Sequence, residues 1–224
     1  MKFFHKTHKN IYNKGIKRIL DFIFAILLFL ILIPVYVIIS IVILIKTGRP
    51  ILYRAERGGY RGKTFRIYKF RTMVKNADKI GGGTSACNDK RITKVGRFLR
   101  RSKLDEIPQL INIIKGEMSF VGPRPELLKY TNNYQGDEKK ITMVRPGLTD
   151  YASILIEQDK YVGEVNADVM YQEKVLPIKN KLRIFYIENM SLVTDCKIVY
   201  LTIVYVIRRT VQYIKKEYSK QKRI

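Results

Sequence analysis

The chain has no tryptophan, only two cysteines and two histidines in 224 residues, and 19 Asp and Glu against 43 Lys and Arg. Both histidines, His5 and His8, lie in the N-terminal tail, which argues against a His-based triad or a histidine zinc site. Cys87 and Cys196 have no metal-type spacing and read as free thiols of a reducing compartment rather than a lone disulfide. There is no Walker spacing and no G-x-G-x-x-G pattern, so GGGTSACNDK (Gly81 to Lys90) reads as a flexible loop, not a phosphate loop. What is abundant is positive charge. A net charge of +24 concentrates polyanions: nucleic acid, anionic lipid surfaces or phosphorylated small molecules. An apolar fraction of 46% argues against a disordered basic tail, and the length suits one domain with a real core and an appended element.

Phe22 to Ile45 reads FIFAILLFLILIPVYVIISIVILI, without a charge. As a helix it is about 36 Å long, enough for a hydrocarbon core of about 30 Å. It exceeds a signal-peptide core, and no small-residue cleavage site follows. Pro34 near its middle is expected to bend the helix. Both flanks are basic: Lys14, Lys17 and Arg18 before, Lys46, Arg49, Arg54 and Arg57 after. A simple span would strand one basic flank outside. A hairpin that enters and leaves by one face keeps both in the cytoplasm.

Between Lys46 and Lys103 there are 18 Lys and Arg and only three acids, Glu56, Asp78 and Asp89. KTFRIYKFRTM (Lys63 to Met73) fits a short strand with cations on the face opposite its apolar residues, either a solvated strand or an anion-binding face that includes Lys69 and Arg71. Ile92, Val95, Phe98 and Leu99 recur at helical spacing, with Arg97, Arg100 and Arg101 elsewhere on the wheel. Ile107, Leu110, Ile111 and Ile114 predict a second helix that ends near Gly116 and starts near Leu104 or Asp105, because Pro108 is tolerated only in the first turn. Gly122, Pro123 and Pro125 form a rigid turn around Arg124, and Arg145 sits in a second turn, VRPGLTDYASI. From Leu192 onward an apolar stretch precedes a basic one. Its uncharged run, between Lys197 and Arg208, is too short to span a bilayer. It reads as an amphipathic helix on an anionic leaflet, with Arg208, Arg209, Lys215 and Lys216 at the head groups, or as a core helix with a basic end.

One stretch runs against the charge balance. RRSKLDEIPQL places Asp105 and Glu106 directly after a dense basic run. Acids at a helix N-terminus complement its dipole by about 0.3–1 kcal/mol, and capping alone would explain the pair. Its surroundings suggest chemistry instead. Arginines crowd the approach, and Arg124 and Arg145 lie in rigid turns suited to fixed anions. Such parts suit phosphoryl transfer: basic groups and a helix N-terminus hold phosphates, and a carboxylate either binds Mg²⁺ or acts as nucleophile. A membrane-anchored protein that binds nucleic acid or anionic lipid would account for the charge but not for the acid pair, and its nucleic-acid binding would fall steeply with salt.

KRILDFIFA, GRPILYRAERGGYRGKTFRIYKFRTM, NDKRITKVGRFLRRSKLDEIPQLINIIKGEMSFVGPRPELL and VRPGLTDYASI together resemble the bacterial sugar transferases, the small monotopic phosphoglycosyl transferases that act on polyprenyl phosphate. The resemblance spans roughly Lys17 to Ile154 and looks like the minimal form, without the large N-terminal membrane domain of longer members. It implies a transferase that moves sugar 1-phosphate from a nucleotide sugar, usually UDP-linked, to undecaprenyl phosphate, releasing UMP and starting a glycan. It also implies Mg²⁺ as cofactor and no nucleic-acid partner. By resemblance Asp105 is the nucleophile and a metal ligand, and Glu106 its dyad partner. Arg100 lies near the lipid phosphate, with Arg101, Arg71 and Lys69 as further phosphate contacts. Pro123, Arg124 and Pro125, with Arg145, serve the nucleotide. Ile33-Pro34 stands where relatives commonly have Ser-Pro, and Asp150-Tyr151 departs from the relatives' usual sequence after Arg-Pro-Gly.

The expected fold is mixed, predominantly α with minor β: a monotopic membrane protein with one Pro-kinked re-entrant helix and interfacial amphipathic helices. The expected divisions are a basic tail (1–16), the re-entrant helix (17–46), a cytoplasmic catalytic domain (47–190) and a C-terminal amphipathic basic helix (191–224). The expected location is the cytoplasmic face of the bacterial inner membrane.

Overall fold

The computed structural model describes residues 12–77, 89–156 and 167–221. His5, His8, Cys87 and almost all of the Gly81–Lys90 loop lie outside the described residues.

The long apolar run forms two helices, α1 (Lys17–Ile31) and α2 (Ile33–Thr47), that meet at 60°. The break falls at Leu32. Pro34 sits in the first turn of α2, where a missing N–H costs no helical bond. Among the described residues no single helix is long and apolar enough to cross a membrane, but this bent pair passes the same test of length and composition together. Ala25, Ile39 and Ile43 face the body and are buried, whereas Phe24, Ile31, Ile38 and Ile45 are each more than half exposed.

The body carries two small sheets. β1 (Leu52–Gly58) and β2 (Thr64–Phe70) pair antiparallel, with Leu52 opposite Phe70 and Gly58 opposite Thr64. Phe65 and Ile67 of β2 pack with Ala25, Leu110, Ile113 and Met118. Burying each of the larger of these side chains stabilises the fold by about 1.5–3 kcal/mol. Phe70, on the other face, joins Ile39, Ile43 and Leu99. Side chains alternate along a strand, so Lys69 shares the parity of Phe65 and Ile67. The expectation that the strand's cations all lie opposite its apolar residues is therefore corrected at Lys69.

Next come α3 (Lys94–Arg101), a 3₁₀ segment (Leu104–Gln109) and α4 (Leu110–Lys115). Thr93 caps α3, its side chain accepting from Gly96 N. Gly116, at φ 80°, ends α4 in the left-handed conformation that glycine adopts freely. β3 (Ser119–Val121) pairs parallel with β4 (Gly147–Thr149). Between and after them lie α5 (Leu128–Thr131), a 3₁₀ segment (Gly136–Met143) and α6 (Tyr151–Leu155). The chain ends in α7 (Ala167–Met170), α8 (Leu176–Glu188) and the long α9 (Leu192–Gln221). The fold is mostly helical with minor β structure.

α9 is one 30-residue helix. Its start is tied to the start of α1: Asp195 is ion-paired with Lys17 in the interior and accepts from the hydroxyls of Tyr12 and Tyr186, both at 2.7 Å. Tyr200, Ile203, Ile207, Val211, Ile214 and Tyr218 form an exposed apolar stripe along it.

Candidate active site

β2, the 3₁₀ segment, the turn before α5 and one face of α9 enclose a cleft of about 1020 Å³. Asp105 and Glu106 lie in it, both more than nine-tenths buried, in the first turn of the 3₁₀ segment. Lys103 enters that turn at φ 60°.

The two carboxylates have opposite surroundings. Glu106 Oε1 accepts from Arg124 Nη2 and from Lys69 Nζ at 3.1 Å, with Lys103 Nζ at 3.9 Å. Burial alone would raise the Glu106 pKa, but the charges of Arg124, Lys103 and Lys69 outweigh it and hold the group ionised well below the usual range. Asp105 goes the other way. Burial first, then the charge of Glu106, pushes its carboxyl up, against Lys69, Lys103 and Arg100. Its Oδ1 is a buried atom without a hydrogen-bond partner. Two adjacent acids with pKa values pushed apart are the arrangement that divides chemical roles.

The other expected site residues are distributed unevenly. Arg100 lines the cleft, its Nε donating to Thr72 Oγ1 at 2.8 Å. Arg101 also lines it and stacks over Tyr213 of α9, 5.0 Å from the ring centre. Arg71 is buried and spends Nη2 on the end of α2, donating to the carbonyls of Thr47 and Gly48 and to Thr47 Oγ1, while its Nε and Nη1 have no partner. Arg124 and Pro125 line the cleft. Arg124 is fixed on two further sides, its backbone N donating to Asp150 Oδ2 and its Nη1 to the Leu148 carbonyl, both at 3.0 Å.

Pro123 and Arg145 are not among the lining residues. The Pro123 carbonyl accepts from Gly147 N, which ties that turn to the start of β4. Arg145 donates from Nε to the Gly116 carbonyl at 2.9 Å and covers the Tyr60 ring, at the end of α4. There it works with Arg18, which donates to the carbonyls of Ile113 and Ile114. Cations at the C-terminus of a helix offset its dipole, and both arginines stand at that end of α4.

Sequence reasoning missed several groups. Thr72 orients Arg100. Asn112, fully buried, donates to the carbonyl of Arg66 and accepts from Tyr68 N, locking α4 to β2 behind the acid pair. Behind Arg124 lies a buried network in which Arg183 pairs with Glu126 at 2.7 Å and Asp150 at 3.4 Å. Tyr171 and Lys179 line the cleft beside it, and burial pulls the Lys179 ammonium down to about 8. α9 adds Tyr205, Arg208, Arg209, Gln212 and Tyr213. Arg208 and Arg209, which the sequence suggested for the head groups, both line the cleft.

The site fits Mg²⁺ on one observation, the unpartnered Asp105 Oδ1. One carboxylate oxygen plus substrate phosphate oxygens is a donor set that Mg²⁺ takes. Among the described residues no group of three or more His, Cys, Asp or Glu side chains forms a metal cage, so the protein alone does not build the whole coordination shell.

Residues 12–209 match the family model described as bacterial sugar transferase. A Bacillus subtilis chain, provisionally described as an undecaprenyl-phosphate N-acetylgalactosaminyl 1-phosphate transferase, is 37% identical over 155 residues, covering 69% of this chain and 83% of its own length. A Caulobacter vibrioides UDP-glucose:undecaprenyl-phosphate glucose-1-phosphate transferase is 34% identical, covering 84% of this chain and 68% of its own. The Escherichia coli transferase of the same name is 35% identical over 85% of this chain, which matches only 40% of the longer relative. With a cleft built around a paired Asp-Glu in a ring of cations and a match over most of its length, the chain belongs to the bacterial sugar transferase family.

Proposed function

We propose that the chain transfers sugar 1-phosphate from a UDP-sugar to undecaprenyl phosphate, releasing UMP, as the first membrane step of a bacterial glycan. The carrying observation is Asp105: a buried carboxylate with a free oxygen, beside an ionised Glu106, in a cleft lined by twelve Lys and Arg side chains and three carboxylates. The named activities of the relatives support the same reading.

In this reading an Asp105 carboxylate oxygen attacks the β-phosphorus of the donor. The bond from that phosphorus to the bridging oxygen breaks, and UMP leaves with the oxygen and its electron pair. A sugar phosphate remains on Asp105 as an acyl phosphate. A phosphate oxygen of undecaprenyl phosphate then attacks the same phosphorus, the bond to Asp105 breaks and the carboxylate is restored. Lys69, Lys103 and Arg124 keep Glu106 ionised and fix its position. Arg100, oriented by Thr72, offsets phosphate charge from a preset geometry. Asp105, together with substrate phosphates, would hold Mg²⁺, which would supply neutralisation of the diphosphate charge.

The bent pair α1–α2 enters and leaves the cytoplasmic face of the bacterial inner membrane, with its exposed apolar residues in lipid and the cleft at the surface. The apolar stripe of α9 lies on the same leaflet.

The test is UMP release by purified protein with Mg²⁺, undecaprenyl phosphate and a panel of UDP-sugars. Lipid-dependent release from one donor, lost in Asp105→Ala and on chelation of Mg²⁺, is the expected result. Incubation with donor labelled in the sugar, without acceptor, should leave label on the protein at Asp105. Transfer without any trapped label would leave Asp105 as a metal ligand in a direct displacement.

A further inference from the structure

α9 carries two faces. Tyr205, Arg208, Arg209 and Gln212 recur at i, i+3, i+4 and i+7 and line the cleft. Ile203, Ile207, Val211 and Ile214 form the exposed stripe. At about 100° per residue, Arg209 lies about 160° around the helix from Val211, away from any surface that the stripe rests on. Arg209 Nη1 is held by the Tyr205 hydroxyl at 2.8 Å, and Tyr213 is covered by Arg101 of α3. The helix is thus docked so that its basic face joins the cationic wall formed by Arg100 and Arg101.

That wall is short of counter-charge. Glu106 is taken by Lys69, Lys103 and Arg124, and Glu126 by Arg183. Asp89 is taken by Arg91. Among the described residues Arg100, Arg101 and Arg208 have no carboxylate at ion-pair distance. Like charges gathered on rigid elements around a cleft repel one another unless an anion enters between them.

We propose that Arg208 and Arg209 of the C-terminal helix form, with Arg100 and Arg101, a phosphate-binding subsite of the cleft, so that α9 is part of the substrate site as well as a surface anchor. The ligand chemistry is a phosphate group, carried either by the lipid acceptor or by the diphosphate of the donor. Which of the two it is rests on the proposed transfer reaction; the existence of the subsite does not.

The test uses full-length protein in detergent micelles at fixed ionic strength, comparing wild type, Arg208→Gln/Arg209→Gln and Arg208→Lys/Arg209→Lys. Calorimetric titration with inorganic pyrophosphate should show affinity at least about tenfold weaker in the Gln pair and largely recovered in the Lys pair, because charge-assisted contacts are lost and then restored. In steady state, the Gln pair should raise KM with kcat nearly unchanged. A rise confined to undecaprenyl phosphate assigns the site to the acceptor, and one confined to the UDP-sugar assigns it to the donor. Equal pyrophosphate affinity in wild type and Gln pair overturns the subsite, as does a loss of kcat that follows a fall in Tm and is not recovered by lysine. If wild type transfers no sugar phosphate from any donor, the proposed function fails and the pyrophosphate titration alone decides the subsite.

Discussion

Arg124 Nη2 donates to Glu106 Oε1, and that same oxygen accepts from Lys69 Nζ, while Oδ1 of the adjacent Asp105 accepts from no group. The two acids are neighbours in the chain and opposites in the site. Three cations from separate parts of the chain, β2, the turn before the 3₁₀ segment and the Pro-Arg-Pro turn, converge on Glu106. Asp105 Oδ1 is left without a donor.

This asymmetry sets the pH response. Of the charges on Glu106, Arg124's lowers its pKa most. Arg124→Ala removes that charge, so Glu106 takes up a proton at higher pH. The acid limb of the kcat/KM profile should move upward by about one unit or more, with lower activity throughout. A profile measured from pH 5 to 9 on both proteins checks it. An unmoved limb would mean that Glu106 does not need its charge.

Asp105 has the reverse linkage. Its pKa is raised in the folded protein, so the neutral form is the better tolerated one. The group therefore supports folding at acid pH, and that support is lost as pH rises through the folded-state pKa. Asp105→Asn should abolish transfer yet raise Tm at pH 7, and the gain over wild type should shrink as pH falls toward the ordinary Asp range. Thermal melts at pH 7 and pH 5 measure the difference. Stability is the usual cost of keeping a charge buried.

Much of this was legible in the sequence because it is local. The bent apolar run, β2, α3 and the helix stop at Gly116 follow from periodicity, proline and glycine within a few residues, whereas the helix expected from Leu104 or Asp105 begins as a 3₁₀ segment and turns α-helical only at Leu110. That Asp105 and Glu106 sit among cations could be read from their setting in a basic run. What the chain order hides is convergence. Arg145 and Arg124 both lie in Pro/Gly turns and look alike in sequence, but the parallel pairing of β3 and β4 turns one to the cleft and the other to the end of α4. Asn112 looks like a helix-surface polar residue, and only the approach of β2 buries it. Arg208 and Arg209 lie about a hundred positions beyond the acid pair. Their place in the cleft follows from how α9 packs, which the heptad-like spacing of its apolar residues does not reveal.

The network behind the cleft is a stability element with a functional end. Arg183 is fully buried between Glu126 and Asp150, and Asp150 holds the Arg124 backbone. Arg183→Met keeps the volume but removes the cation that Glu126 and Asp150 share, leaving Glu126 the charge of Lys179 and Asp150 without its ion-pair partner. The expected loss is about 3–5 kcal/mol. The double variant Arg183→Met/Glu126→Gln should recover part of it, because one buried charge is removed. Urea unfolding of the three proteins gives the comparison.

Gly96 connects packing to the site most directly. A Cβ at this position would lie 1.9 Å from the Thr72 carbonyl oxygen, a backbone atom fixed by its hydrogen bond from Thr93 N. α3 can approach β2's extension this closely only without a side chain, and that approach lets Thr72 Oγ1 receive Arg100 Nε. Gly96→Ala must therefore push α3 outward. It should cost ~3 kcal/mol of stability and also weaken the cleft's hold on phosphate, seen as a higher KM. Gly15→Ala is the control. A Cβ there meets nothing within 4 Å, so this change should leave KM alone and Tm unchanged or slightly higher. Equal KM in Gly96→Ala and wild type would show that Arg100 does not depend on the spacing of α3 from Thr72.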